Sequence, residues 1–346
     1  NMGRDEALDD FPVLVFLNTE RVSYSDFAGG GRNMLFLDED RITVLPHEIE
    51  VWDPEGESLI WVKVPRIDAA SSSDSIYLLY GDDTLDNPSR PAEVWTDRFE
   101  GVYHFASTNS TTSTFPDSTS YGRDGTVVDQ PLAIRNGILG NALYFAPNEA
   151  GYATLGTNDA FALQVGRQIT VELWFEPIDV IDGGHYNLYQ QQSTLSCPGI
   201  RMRISPDSRI EGTVESGDSC ASKANATVTT VTARDGRWYQ AALTLDYTTA
   251  ASIELCTYAR RRSNDDPSAI FECSSERVPS PVDIDGAVYL GIIDPPDGAP
   301  DSGQARFTGK IDELRISSTL RSPQWIDAQH RSMKDAFITY RDSSAP

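Results

Sequence analysis

Apolar residues in this chain recur with period two almost from end to end. PVLVFLN, HEIEVWD, LIWVKVP, SIYLLYG, QITVELWFEP and WYQAALTLDY are short alternating or continuous apolar runs, and FAGGGRN, DPEGES and DAASSSDS are typical of the Gly, Pro, Asp and Ser clusters between them. Side chains alternate across a strand but wind around a helix, so this spacing builds sheets. Strands this short, separated by turn chemistry, predict an all-β chain of two packed β-sandwich domains. A single short helix is expected in SPQWIDAQHRSM. Ser322 suits its N-cap and Pro323 its first turn, and Trp325, Ile326 and Gln329 share a face that packs on the sandwich.

With 346 residues the chain can bury two cores. The polar loop before VWTDRFEGVYHF places the first domain at 1–98 and the second at 101–333, with 334–346 a C-terminal strand or the start of a linker. The net charge of −24 argues against nucleic acid as a partner, because phosphate binding needs a basic face. No apolar run approaches the roughly 20 residues that span a bilayer. The first residues, NMGRDEALDDFP, are polar and do not read as a cleavable signal.

Four cysteines fall in two local pairs. Cys197 and Cys220 bracket one hairpin-shaped segment, and Cys256 and Cys273 bracket another. Two hairpin disulfides, 197–220 and 256–273, are expected, which places the chain in a secreted, periplasmic or cell-surface compartment; four free thiols are the alternative. No CxxC spacing occurs, which argues against a zinc site.

Two families are resembled side by side. DFPVLVFLN, YSDF, NMLFLDEDRITVLPHEIEVWD, WVKVPRID, IYLLYGDD and VWTDRF resemble domain of unknown function 2341 over roughly residues 10 to 98. GVYHF, DSTSYGRDGTV, GILGNALYFA, ITVELWFEP, GRWYQAALTLD and GKIDELRIS are similar, in order, to the laminin G-like, concanavalin A-like jelly roll over 101 to about 333. The resemblance implies a bacterial envelope or secreted protein, part of something longer. It also implies a jelly-roll second domain, frequently with one structural calcium ion, and a binding role without catalysis.

Calcium takes six to eight oxygens, many of them from a turn. In PDSTSYGRDGT, Asp117, Ser118, Ser120 and Asp124 offer side-chain oxygens, and Gly122 and Gly125 let the backbone curl. By resemblance, the acid of the GKIDE strand, Asp312, lies against this turn. Two metal-free alternatives stand beside calcium: Asp117 capping backbone N–H groups, and Asp312 paired with a neighbouring arginine. Simple alternation puts Asp312 on one face with Leu314 and Ile316, and Ile311 on the other with Glu313 and Arg315. That pattern is awkward enough to imply either a covered outer face or a bulge.

Catalytic signals are thin. His47, His104, His185 and His330 lie in no metal-binding spacing, and GxSxG, P-loop and dinucleotide motifs are absent. His104 reads as a core residue. Glu172 and Glu176 lie on one strand face but about 13 Å apart, too far for the paired carboxylates of a retaining glycosidase. DGGHYNLYQQQS gathers His185, Tyr186, Asn187, Tyr189 and Gln191 as a candidate glycan-contacting run, or else a buried strand. The expected function is non-catalytic recognition of a glycan or cell-surface polymer. A structural spacer or, less favoured, a glycoside hydrolase-like enzyme are the alternatives.

Overall fold

A computed structural model describes residues 5–106, 113–128, 132–147, 151–179, 184–192, 197, 199–216, 222–263, 270–277, 282–292 and 304–341. The chain divides into two compact units. The first comprises residues 1–97, 118–120 and 324–346, and the second 98–117 and 121–323. Residues 324–341 group with the first unit.

In the first unit, two three-stranded antiparallel sheets enclose a small core. Ser58–Ile67 lies between Leu8–Leu17 and His47–Val51, and Leu35–Leu37 between Val44–Leu45 and Tyr77–Leu79. Val15, Leu17, Ile60 and Val62 from one sheet meet Phe36 and Leu45 from the other. The run LDDFPVLVFL is buried along nearly its whole length, which explains why it reads as continuous rather than alternating. Its other residues meet the C-terminal segment. The Leu14 N–H donates to Ser332 Oγ at 2.7 Å, the Phe16 N–H to the Tyr340 hydroxyl at 2.8 Å, and the Phe11 ring meets Trp325 edge-on at 4.8 Å. The expected helix forms as Pro323–Ser332 with Trp325, Ile326 and Gln329 buried, and from residue 324 onward it groups with the first unit.

Between an eight-stranded and a nine-stranded sheet lies the core of the second unit. In the first of these, Arg167–Pro177 runs between Tyr239–Tyr247 and Gly309–Ser317, and Phe99–Tyr103 also pairs with Gly309–Ser317. In the second, Ser222–Thr232, Arg209–Ser216, Gly199–Ile204 and His185–Gln191 follow one another as antiparallel neighbours. Leu173, Phe175, Leu243 and Leu314 from one sheet join Tyr189, Met202, Ile210 and Val214 from the other in a single apolar cluster.

Gly309–Ser317 carries the irregularity that its sequence hinted at. Pairing with Arg167–Pro177 shifts register between Glu172 and Trp174, opposite Arg315 and Asp312, and Glu313 takes φ +51°. This is a bulge, with an extra residue on one strand and that residue in the left-handed region. Ile311 consequently joins Leu314 and Ile316 in the core. The expected grouping of Asp312 with Leu314 and Ile316 is therefore corrected: the extra residue reverses the alternation, and Asp312 falls on the face away from the core.

Cys256 and Cys273 stand directly opposite each other on paired strands and form a disulfide. Cys197 is buried and disulfide-bonded, while Cys220 lies outside the described residues.

Candidate functional site

The proposed metal ligands are sorted by the fold into separate environments. Asp117 Oδ1 accepts the Val102 N–H and Oδ2 the Arg123 N–H, both at 3.0 Å, while its own N–H donates to Asp124 Oδ1 at 2.9 Å. Ser118 donates elsewhere, to Glu48 Oε1 at 2.7 Å. Gly122 takes φ +61° in the turn, but Gly125 is required for a different reason. A Cβ there would lie 2.0 Å from the Phe115 ring, so close packing selects the glycine.

Asp312 is fully buried, and it is satisfied by another loop. Its Oδ2 accepts the N–H groups of Ile138 at 2.8 Å and Leu139 at 3.3 Å, and Oδ1 accepts the Glu313 N–H at 2.9 Å. A Cβ on Gly137 would sit 2.4 Å from the same carboxylate, so this loop is shaped around Asp312. Asp117 is held at Val102, which faces Arg315 across the strands, whereas the Asp312 carboxylate is taken up by the N–H groups of Ile138 and Leu139. The expectation that Asp312 lies against the 117–125 turn is corrected on that geometry. Asp117, Ser118, Gly122, Asp124, Gly125 and Asp312 do not form the single oxygen shell that calcium needs.

Glu172, Glu313 and Arg315 are buried on the eight-stranded sheet. Glu313 bonds His104 Nδ1 at 2.8 Å and the Arg315 guanidinium at 2.7 Å. Burial alone would push its carboxyl up; His104 and Arg315 outweigh that and hold it below the ordinary range. His104, just past the strand Phe99–Tyr103, is thus a buried residue with a partner. Glu172 has no hydrogen-bond partner on either oxygen among the described residues, and burial raises its pKa against the pull of Arg315 and Arg321. Glu176 pairs with Lys310 at 2.6 Å.

The glycan-contacting run becomes the strand His185–Gln191, inside the nine-stranded sheet. Tyr186 and Tyr189 enter the core. Asn187, Gln190 and Gln191 are at most 1% exposed, and the Asn187 amide donates to Gln190 Oε1 at 2.8 Å. Direct ligand contact is corrected for Tyr186, Asn187, Tyr189 and Gln191, since each is buried by sheet packing. His185 alone stays partly open, with 28% of its side chain exposed.

Around His185 runs a ladder of cross-strand pairs on the sheet face turned from the core. Arg203 Nε donates to Glu211 Oε2 at 2.7 Å, the Asn225 amide donates to Glu211 Oε1, and His185 Nδ1 lies 3.9 Å from Glu211. One step along, Arg201 meets Thr213 Oγ1 at 3.3 Å and Glu215 at 3.2 Å. Burial, and then the nearby Arg203 charge, lower the His185 pKa. The imidazole is therefore neutral near pH 7 and offers both a donor and an acceptor. Glu211 and Glu215 are four residues apart on one strand and each is paired with an arginine, so they do not supply the two close carboxylates of a retaining glycosidase. Sequence reading passed over this ladder, though RMRIS and RIEGTVES carry its signal: basic residues of one parity facing acidic and hydroxyl residues of the matching parity.

Residues 31–118 match the family model of a domain of unknown function, DUF2341. The match begins later and ends later than the resemblance over 10 to 98. No curated protein matches the chain. Among solved structures, the binding domain of Paraclostridial Mosquitocidal Protein 1 aligns at 10% identity and a TM-score of 0.48, covering 68% of this chain and 52% of its own. The binding domain of botulinum neurotoxin serotype D aligns at 12% identity and 0.47, covering 70% and 52%. A complex of the serotype D ligand binding domain with N-acetylneuraminic acid aligns at 13% and 0.46, covering 68% and 51%. This chain spans about half the length of each of them, and the likeness is too loose to carry their ligands over.

Proposed function

We propose that this chain is a non-catalytic, extracytoplasmic binding module that recognises a glycan or cell-surface polymer. The observation that supports it is the polar ladder around His185: the neutral imidazole and the exposed Asn225 are open, and the largely buried pairs Arg203–Glu211 and Arg201–Glu215 hold them from beneath with their charges matched. Hydroxyl-rich ligands suit such a face because they exchange hydrogen bonds without stranding a charge. The disulfide Cys256–Cys273 supports an oxidising compartment. The jelly-roll, laminin G-like reading of the second unit belongs to this proposal, as does membership of a longer envelope protein.

The test is a glycan array probed with the full chain and with His185→Ala. Because His185 is partly open, its loss should leave the fold intact and weaken the bound glycans about tenfold, roughly 1.4 kcal/mol. Equal binding by both proteins would remove the ladder as the contact surface.

A calcium ion enters this reading only at the 117–125 turn, beside Asp117 and Asp124 and without Asp312. The Asp117 carboxylate already accepts two backbone N–H groups. A chelator is therefore expected to lower the melting temperature by less than about 2 °C. A larger fall that added calcium reverses would give the ion a structural share of its own.

A further inference from the structure

We infer that the first unit holds a separate carbohydrate subsite, an aromatic shelf at Tyr80 that takes the apolar face of a neutral hexopyranose. Thr19 to Ser25 and Tyr80 line an open cleft of about 450 Å³, within the size range of small-ligand sites. Tyr80 is 36% exposed, and Phe27 stacks against it with centroids 4.5 Å apart and planes 8° off parallel. Phe27 covers one face of the tyrosine ring, and Tyr80 itself lines the cleft. Behind them Trp52 meets Phe27 edge-on at 5.2 Å and Tyr24 at 5.3 Å. Tyr24 is in turn pinned by hydroxyl bonds to the Leu17 carbonyl and Ser58 Oγ. The shelf is therefore rigid before any ligand arrives, which lowers the cost of binding.

The cleft rim supplies three hydroxyls beside one exposed carboxylate, Glu20. Thr19, Ser23 and Ser25 are exposed, and Arg21 is committed to Asp335 and to the Phe16 carbonyl. One carboxylate, Glu20, and a chain charge of −24 oppose an anionic ligand. A flat ring beside several hydroxyls, with the lining arginine already paired, fits the C–H face and equatorial hydroxyls of an uncharged sugar. The other exposed large aromatic among the described residues, Tyr121, differs in that the Arg123 guanidinium sits 4.0 Å over its ring.

Titration of the full chain with cellohexaose, maltohexaose, mannohexaose and 3′-sialyllactose tests this, with saturation-transfer NMR to locate the contact. At least one neutral hexasaccharide should bind saturably with transfer to pyranose ring protons. Tyr80→Ala should weaken it at least tenfold, whereas Tyr80→Phe should stay within about twofold because the ring, not the hydroxyl, makes the contact. His185→Ala should leave this affinity unchanged, which separates the shelf from the ladder of the second unit. The inference is overturned if no neutral hexasaccharide binds, if Tyr80→Ala folds and binds like the parent, or if only the sialylated probe depends on Tyr80.

Discussion

Replacing Asp312 by alanine is expected to destabilise the second unit by about 3–5 kcal/mol, or roughly 10 °C in melting temperature. Its carboxylate accepts the N–H groups of Ile138, Leu139 and Glu313 inside a fully buried site. Removing it strands three backbone donors and opens the space that Gly137 leaves for it. Asp312→Asn keeps one oxygen acceptor and should cost about half as much. Thermal melts of the two variants check this, and equal losses would mean that charge, rather than hydrogen-bond geometry, holds the loop.

Acid should weaken the first unit through His47. Neither ring nitrogen of this buried residue has a hydrogen-bond partner among the described residues, and its ring packs 5.7 Å from Phe36. Burial first, and the Arg90 charge second, push its pKa down to about 4 from the ordinary 6.5. Between those values the unfolded chain takes up a proton that the folded chain refuses. Stability from this group is therefore intact above pH 6.5 and declines as pH falls toward 4, by up to about 3 kcal/mol. His47→Leu should flatten that part of the stability profile, measured by denaturant melts between pH 7 and 4. A wild-type profile that is already flat over this range would contradict the buried neutral imidazole.

Much of the architecture was legible because strand alternation is a local property. Period two in QITVELWFEP and WYQAALTLDY locates central strands of the second unit, and the Ser-Pro start of SPQWIDAQHRSM locates the helix. What packs on what is not local, and residues 324–341, with most of the helix, group with the first unit. The bulge at Glu313 was foreshadowed only as a conflict in the pattern, since the residue held at φ +51° is a glutamate and not the glycine that would advertise it. Asp312 misled for a related reason: a resemblance fixes the presence of an acid, but the fold decides which loop it serves, here the one carrying Ile138 and Leu139. In HYNLYQQ the amides and tyrosines look like ligand contacts, yet the strand lies inside the sheet, so the aromatic rings fill the core and the amides are buried. The shelf at Tyr80 went unread for the opposite reason. Its rings come from four separate positions, 24, 27, 52 and 80, which only the fold assembles.

Recognition without turnover is the centre of this account, and one measurement addresses it directly: the full chain is bound to a glycan array, and the bound glycans are then recovered and analysed for new reducing ends. Retention of uncharged glycans, recovered intact, is the predicted result. A blank array would leave a structural spacer, and shortened glycans would establish a hydrolase; either would contradict the account.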